Sequence, residues 1–370
     1  MRVKELRVPG FLHRRGDNKQ PHIEPESLVV HATSVSCASS GADDMQFAQS
    51  VSMVSHPISA AAIRTPAASV SVCPVPCQPS CNVFHFWGAS RGFGRGINAM
   101  MSFFVRQGDQ LIAEKLALSP WAPDKLSGTG VCGLLARELE GHCPDGFVPA
   151  RLTVDLYQPV ADAAFDMRSR VVRRGSRIAV IDATLVQEGQ ERVRASAVFL
   201  TTGDEPPGQV WSRAEDLPTP PEGCVSPEGS PPLFKSGEHD WTSDFGANQN
   251  GERKVSWHSL PPLVAGEPIT PFQRAAILGD ATNHVCHWGS EGAGYINTDV
   301  TVALSRLPIG HGLGLRADNT IAADGISIGS ATLYDRTGPV GTCVVTTLSN
   351  ARRQIDFTTT TAAALVGEPR

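Results

Sequence analysis

Asp280 closes an apolar run, Ala275-Ala276-Ile277-Leu278-Gly279, and it is the residue in this sequence that most invites chemistry. A carboxylate in such surroundings is partly desolvated, which raises its pKa and makes it a better base near neutrality. The plainer alternative is an Asp on a helix surface or one that caps a neighbouring loop. His284 and His287 follow four and seven residues later, so a continuous helix sets all three on one face. That spacing admits a divalent metal, or a His beside the Asp for acid–base work; a structural His is the commoner outcome. Cys286 reads as core, since nothing nearby promises an activated thiolate. A second candidate is Ser127-Gly128-Thr129-Gly130, just before a helical pattern. Backbone N–H groups of Gly128, Thr129 and Gly130 there can receive a carbonyl oxygen or a phosphate, because helix N-termini attract negative charge. A Gly-rich helix start with no ligand is the competing reading. The run CPVPCQPSC, from Cys73 to Cys81, offers three thiolates with His85 as a fourth ligand. Zinc sites usually space their ligands as two separated pairs, so no metal site is expected. Trp121 and Trp288 read as packing residues.

The elements that must position these groups occur twice. In SGTGVCGLLARELEG, Val131, Leu134, Leu135 and Leu139 recur at helical spacing and Gly141 stands where a C-terminal stop belongs. Three strand patterns follow: FVPARLTVDLYQPV, with Leu152, Val154 and Leu156 alternating, then SRIAVIDATLVQEG and RVRASAVFLTTG about a turn at Gly189. In the second half Thr270-Pro271-Phe272-Gln273 carries an N-cap, a first-turn Pro and a Gln three residues on. That signature predicts a helix from Pro271 to about Cys286. YINTDVTVALSRLPIG, GISIGSATLYDRTG and PVGTCVVTTLSNAR then repeat the strands, the last two as a hairpin about Asp335-Arg336-Thr337-Gly338. Helix, strand and long hairpin in duplicate give an α+β chain built by internal repetition.

The expected organisation is a low-order extension over 1–100, a first repeat over 101–205, a Pro/Gly-rich linker over 206–250, a second repeat over 251–357 and a tail over 358–370. Met101 reads as the opening of the folded part, and even as a genuine start. Residues 1–100 lack sustained periodicity, and the basic start has no apolar signal-peptide core. No stretch approaches the roughly 18 apolar residues of a membrane span. The net charge of −5 divides into +3 over residues 1–100 and −8 over the rest. An acidic body argues against a nucleic-acid groove. Five of the nine cysteines are scattered singly through that body, which fits a reducing, cytoplasmic setting.

MSFFVRQGD, LSPWAPD with GLLARELE, PLVAGEPITPFQRAAILGDATN, INTDVTVALSR and DRTGPVG stand in order across residues 101–353. Together they resemble the acyl-CoA thioesterase II-like double-hotdog family. The resemblance implies two helix-on-sheet repeats whose sheets join into one layer, an acyl-CoA substrate and no cofactor. It also implies hydrolysis of the thioester by a water that Asp280 deprotonates. Asn297, with Thr298 beside it, falls where the family places a water-positioning hydroxyl or amide. The helix start at Gly128, Thr129 and Gly130 falls where N–H groups polarise the carbonyl. The family's Gln position falls on Val345, flanked by Thr346, and Val offers no hydrogen bond. Two alternatives follow: a non-catalytic acyl-CoA or lipid-binding protein that kept the fold, or a hydratase-like hotdog enzyme using Asp280 and His284. Hotdog sheets commonly pair, so a homodimer is the expected assembly.

Overall fold

The computed structural model describes residues 101–213 and 216–359. The expectations for residues 1–100, for CPVPCQPSC with His85 and for residues 360–370 lie outside the described residues.

Behind short hairpins over 104–126, the first repeat sets α1, Gly128–Glu140, whose N-cap Ser127 accepts a hydrogen bond from the Gly130 N–H. Four strands follow: β1 (Phe147–Leu156), β2 (Asp166–Arg174), β3 (Ile178–Gln187) and β4 (Gln190–Thr201). The inward sides of β3 and β4 carry Ala179, Ile181, Ala183 and Leu185, then Val193, Ala195, Ala197 and Phe199, all buried. Alternation of this kind is what a sheet with one covered face requires. Next come β5 (Ser230–Ser236) and β6 (Lys254–Ser259). Then α2 (Pro271–Asp280) begins with the expected capping box, Thr270 to Gln273, and α3 (Thr282–His287) continues the chain. The second repeat closes with β7 (Tyr295–Asn297), β8 (Asp299–Leu304), β9 (Gly312–Ala323), β10 (Ile326–Asp335) and β11 (Gly338–Ser349).

These strands form one antiparallel sheet in the order β2-β3-β4-β1-β8-β11-β10-β9-β6-β5, with β7 also paired to β11. The four strands β8-β11-β10-β9 mirror β2-β3-β4-β1, so the sequence repeat is a structural one. The halves join where β1 meets β8, with Val154 opposite Val300 and Leu152 opposite Val302. Pairing there removes two exposed edges. The helices cover one face, burying Leu135, Leu139 and Phe272 against Leu152, Val154, Val300 and Val302. This is the double-hotdog α+β arrangement. Each such buried side chain contributes about 1.5–3 kcal/mol.

The structure differs from the sequence reading in three places. The helix expected to run unbroken from Pro271 ends at Asp280 and restarts at Thr282, with Ala281 between at φ −66° and ψ −6°. Gly279, Asp280, Thr282 and Asn283 are all weaker helix formers than Ala, so this stretch holds a continuous helix poorly. The segment read as a linker contains β5, whose Phe234 packs with Trp288 and Phe357. Its proline-rich part is tied to the sheet by Tyr334 Oη, which donates to the Pro218 carbonyl. Finally, β9 was not expected as a strand. It turns into β10 through Asp324 and Gly325, both at positive φ (50° and 80°), the backbone a tight hairpin demands.

Candidate active site

Asp280, the last residue of α2, lies against the N-terminal end of α1. Asn297, on β7, donates from Nδ2 to Asp280 Oδ1 at 2.7 Å. The backbone N–H of Thr129 supplies a further hydrogen bond. Gly128 makes the approach possible: a Cβ there would lie 2.2 Å from Oδ1 and 2.6 Å from Cγ of Asp280. No side chain larger than hydrogen fits between that helix turn and the carboxylate. Around it the chain is apolar, with Ala275, Ala276, Ile277 and Leu278 buried on α2 and Cys132 buried on α1.

Electrostatics follow from these surroundings. Desolvation raises the Asp280 pKa to about 6, while the hydrogen bonds from Asn297 and Thr129 oppose the rise. The helix N-terminus favours the ionised form for the same reason the N–H groups do. A carboxyl poised near 6 is ionised at neutral pH yet basic enough to accept a proton. Cys132 is raised well above the usual thiol value by burial and then by the Asp280 charge. It therefore stays a neutral thiol beside the carboxylate.

The structure brings Asp280, Asn297, Gly128 and Thr129 together. Thr298 and Thr346 are not brought to the carboxylate, and strand alternation gives the reason. On β11, Cys343, Val345 and Thr347 face the core, whereas Thr346 faces the other side. Asn297 is paired with Thr347. Thr298, next along, is exposed and donates its N–H and hydroxyl to the Thr346 carbonyl at 2.8 and 3.0 Å. Thr346 in turn donates its N–H to Asp299 Oδ1. Val345 is completely buried, and the inward hydroxyl nearest in sequence, Thr347, donates to the Ser327 carbonyl. The Gly130 N–H is committed to Ser127 Oγ at 3.1 Å.

The histidines do not converge on Asp280, because the helix break takes them off its face. His284 lies among Phe234, Phe245, Trp288 and Phe357. His287 is held between Asn283 and Ser327. Among the described residues no group of three or more His, Cys, Asp or Glu could hold a metal ion. Cys286 donates to the Ser330 carbonyl, and burial pushes its thiol up to about 12. That is core chemistry, as its position implied. DRTGPVG is a structural turn: Asp335 accepts from Arg306, from the Ile309 N–H and from Thr337. The contact of Gly128 with Asp280 was not legible beforehand, since it joins positions far apart in sequence.

Two family models match the chain. The acyl-CoA thioesterase N-terminal domain covers residues 118–200 and the acyl-CoA thioesterase C-terminal domain covers residues 213–348. The chain belongs to the acyl-CoA thioesterase family. Solved structures similar to it include the tesB protein of Mycobacterium avium subsp. paratuberculosis, at 14% identity and TM-score 0.49, covering 66% of this chain and 95% of that one. A putative thioesterase II from Thermobifida fusca YX is similar at 17% identity and TM-score 0.49, covering 68% and 97%. A hot dog fold protein from Alicyclobacillus acidocaldarius is similar at 14% identity and TM-score 0.47, covering 68% and 96%. No curated protein sequence is a significant match. As a family member the chain carries thioesterase domains, and no described helix is long and apolar enough to cross a membrane.

Proposed function

We propose that this chain hydrolyses acyl-CoA thioesters with a water that Asp280 activates. The observation that carries the reading is one carboxylate, desolvated to a pKa of about 6 and held by Asn297 at the N-terminus of α1. In the proposed reaction Asp280 takes a proton from water as its oxygen adds to the thioester carbonyl. The oxyanion forms beside the first turn of α1, where the Gly128 N–H is the donor left, that of Thr129 being spent on Asp280 and that of Gly130 on Ser127. Collapse breaks the C–S bond, the CoA thiolate leaves, and it takes back the proton that Asp280 held. Free acid and CoA are the products, and no cofactor enters any step. Asn297 fixes the carboxylate rather than the carbonyl, so its role is to aim the base.

The setting proposed is lipid metabolism in a reducing, cytoplasmic compartment. Cys132, Cys143, Cys286 and Cys343 form no disulfide, which supports that setting. One observation favours a second reading, a non-catalytic acyl-CoA-binding protein: Val345 puts a buried alkyl group where the family implies a polar one. Free-thiol release from acyl-CoA by wild type and Asp280→Asn separates the two. Turnover that needs Asp280 supports the enzyme; binding without turnover supports the alternative.

A further inference from the structure

Asn297 sits on a three-residue strand, β7, which pairs with β11 alone. So short a strand, hydrogen-bonded on one side, is not fixed by its ladder to the tolerance a catalytic carboxylate needs. A second set of contacts reaches it from α3. Asn283 Nδ2 donates to the Tyr295 carbonyl at 3.0 Å, two residues from Asn297. His287 Nδ1 lies 2.9 Å from Asn283 Oδ1, and His287 Nε2 lies 2.9 Å from Ser327 Oγ on β10. The imidazole also packs on the Tyr295 ring, with centroids 5.1 Å apart.

The Tyr295 carbonyl sets the donor and acceptor roles between Asn283 and His287. Asn283 spends its amide N–H on the Tyr295 carbonyl, so its Oδ1 must accept. His287 therefore carries its proton on Nδ1, and its Nε2 lies against the Ser327 hydroxyl, which also has the Ile321 carbonyl as an acceptor at 3.2 Å. Each partner fixes the next, and the Asn283 amide is left one orientation. α2 and α3 thus seize the same short strand at two points, Asp280 through Asn297 and Asn283 through Tyr295.

We propose that Asn283 and His287 are positioning residues for the hydrolysis, holding β7 where Asn297 can grip Asp280. The inference rests on Asp280 being the base. It assigns to His287, the last histidine of GDATNHVCH, an orienting role three hydrogen bonds removed from Asp280.

The test reads the Asp280 carboxyl itself, by carbon-13 NMR titration of the full chain with the resonance assigned through Asp280→Asn. The carboxyl faces Asn297 from β7, and Thr129 and Cys132 from α1, and loss of the Asn297 hydrogen bond raises its pKa. Two variants decide. His287→Asn keeps an N–H near the place of Nδ1, while His287→Gln reaches toward Ser327 and leaves Asn283 without its donor. The first is expected to titrate near 6, as in the wild type, and the second near about 7. Asn283→Ala, where it folds, is expected to follow His287→Gln. If the two His287 variants titrate together, at either value, packing alone is at work and the inference is overturned. An absence of hydrolysis by the wild type would instead remove the proposed function and leave this titration readable.

Discussion

Gly128→Ala is the sharpest perturbation the site offers. Its methyl would stand 2.2, 2.6 and 2.7 Å from Oδ1, Cγ and Oδ2 of Asp280, far inside van der Waals contact, so the carboxylate must leave its seat. A base moved by about 1 Å costs on the order of 10²-fold in rate, and kcat is expected to fall by at least that. Stability moves differently. Ala in a helix is about 0.5–1 kcal/mol better than Gly, which offsets part of the strain, so the melting temperature should change little. The assay is free-thiol release from acyl-CoA alongside a thermal melt, repeated in an Asp280→Ala background. With the carboxylate gone, Gly128→Ala should stabilise, since only the helix preference remains. A Gly128→Ala variant that keeps kcat within about threefold of wild type would show that the base does not act from the position described.

Five further outcomes follow from the same geometry. Because the Asp280 pKa is raised from 3.8 to about 6, the pH–rate profile should rise with pH through an acid limb near 6. The folded chain also holds that proton more tightly than the unfolded one. The associated stability is present below about pH 4 and is lost as pH rises through 6, so Asp280→Asn should melt higher than wild type at pH 8, by up to about 3 kcal/mol. Thr298→Ala should leave kcat unchanged, because that hydroxyl donates to the Thr346 carbonyl; a large loss of turnover would put it in the site. Val345→Gln should raise kcat about tenfold or more by returning a polar contact, while overpacking costs about 1–3 kcal/mol of stability in chemical denaturation. Asp335→Asn should cost about 3–5 kcal/mol, with turnover of the folded fraction unchanged. Burial draws that carboxyl upward, but the bonds from Arg306, Ile309 and Thr337 outweigh it and hold the pKa well below the carboxylate range. Its contribution is therefore present above about pH 4 and lost as pH falls.

What could be read in the sequence was whatever local chemistry decides. The capping box at Thr270 and Gln273, the helical spacing of Val131, Leu135 and Leu139, the alternation in β1 and the hairpin of β3 and β4 depend on neighbours a few residues away, and each appears in the structure. The hairpin at Asp324-Gly325 carried a legible turn signal that the polar run before it obscured. β5 escaped because prolines surround it; its partner, β6, lies about twenty residues on and gives no local sign. The site divides in the same way. Asp280 stood out by its apolar company. Gly128 needed the packing of the two repeats to acquire meaning, and His287 needed the helix break that separates it from Asp280. Thr298 and Thr346 fell on the wrong side because a strand reverses its faces at every residue, so one position decides between core and solvent.

The central claim is that Asp280 is the general base, and free-thiol release from a panel of short- to long-chain acyl-CoAs tests it directly. Wild type and Asp280→Asn, both shown to be folded, are compared at pH 8. The account predicts turnover by the wild type on at least one chain length and a loss of about 10²-fold or more in the variant. Equal turnover by the two proteins would contradict it.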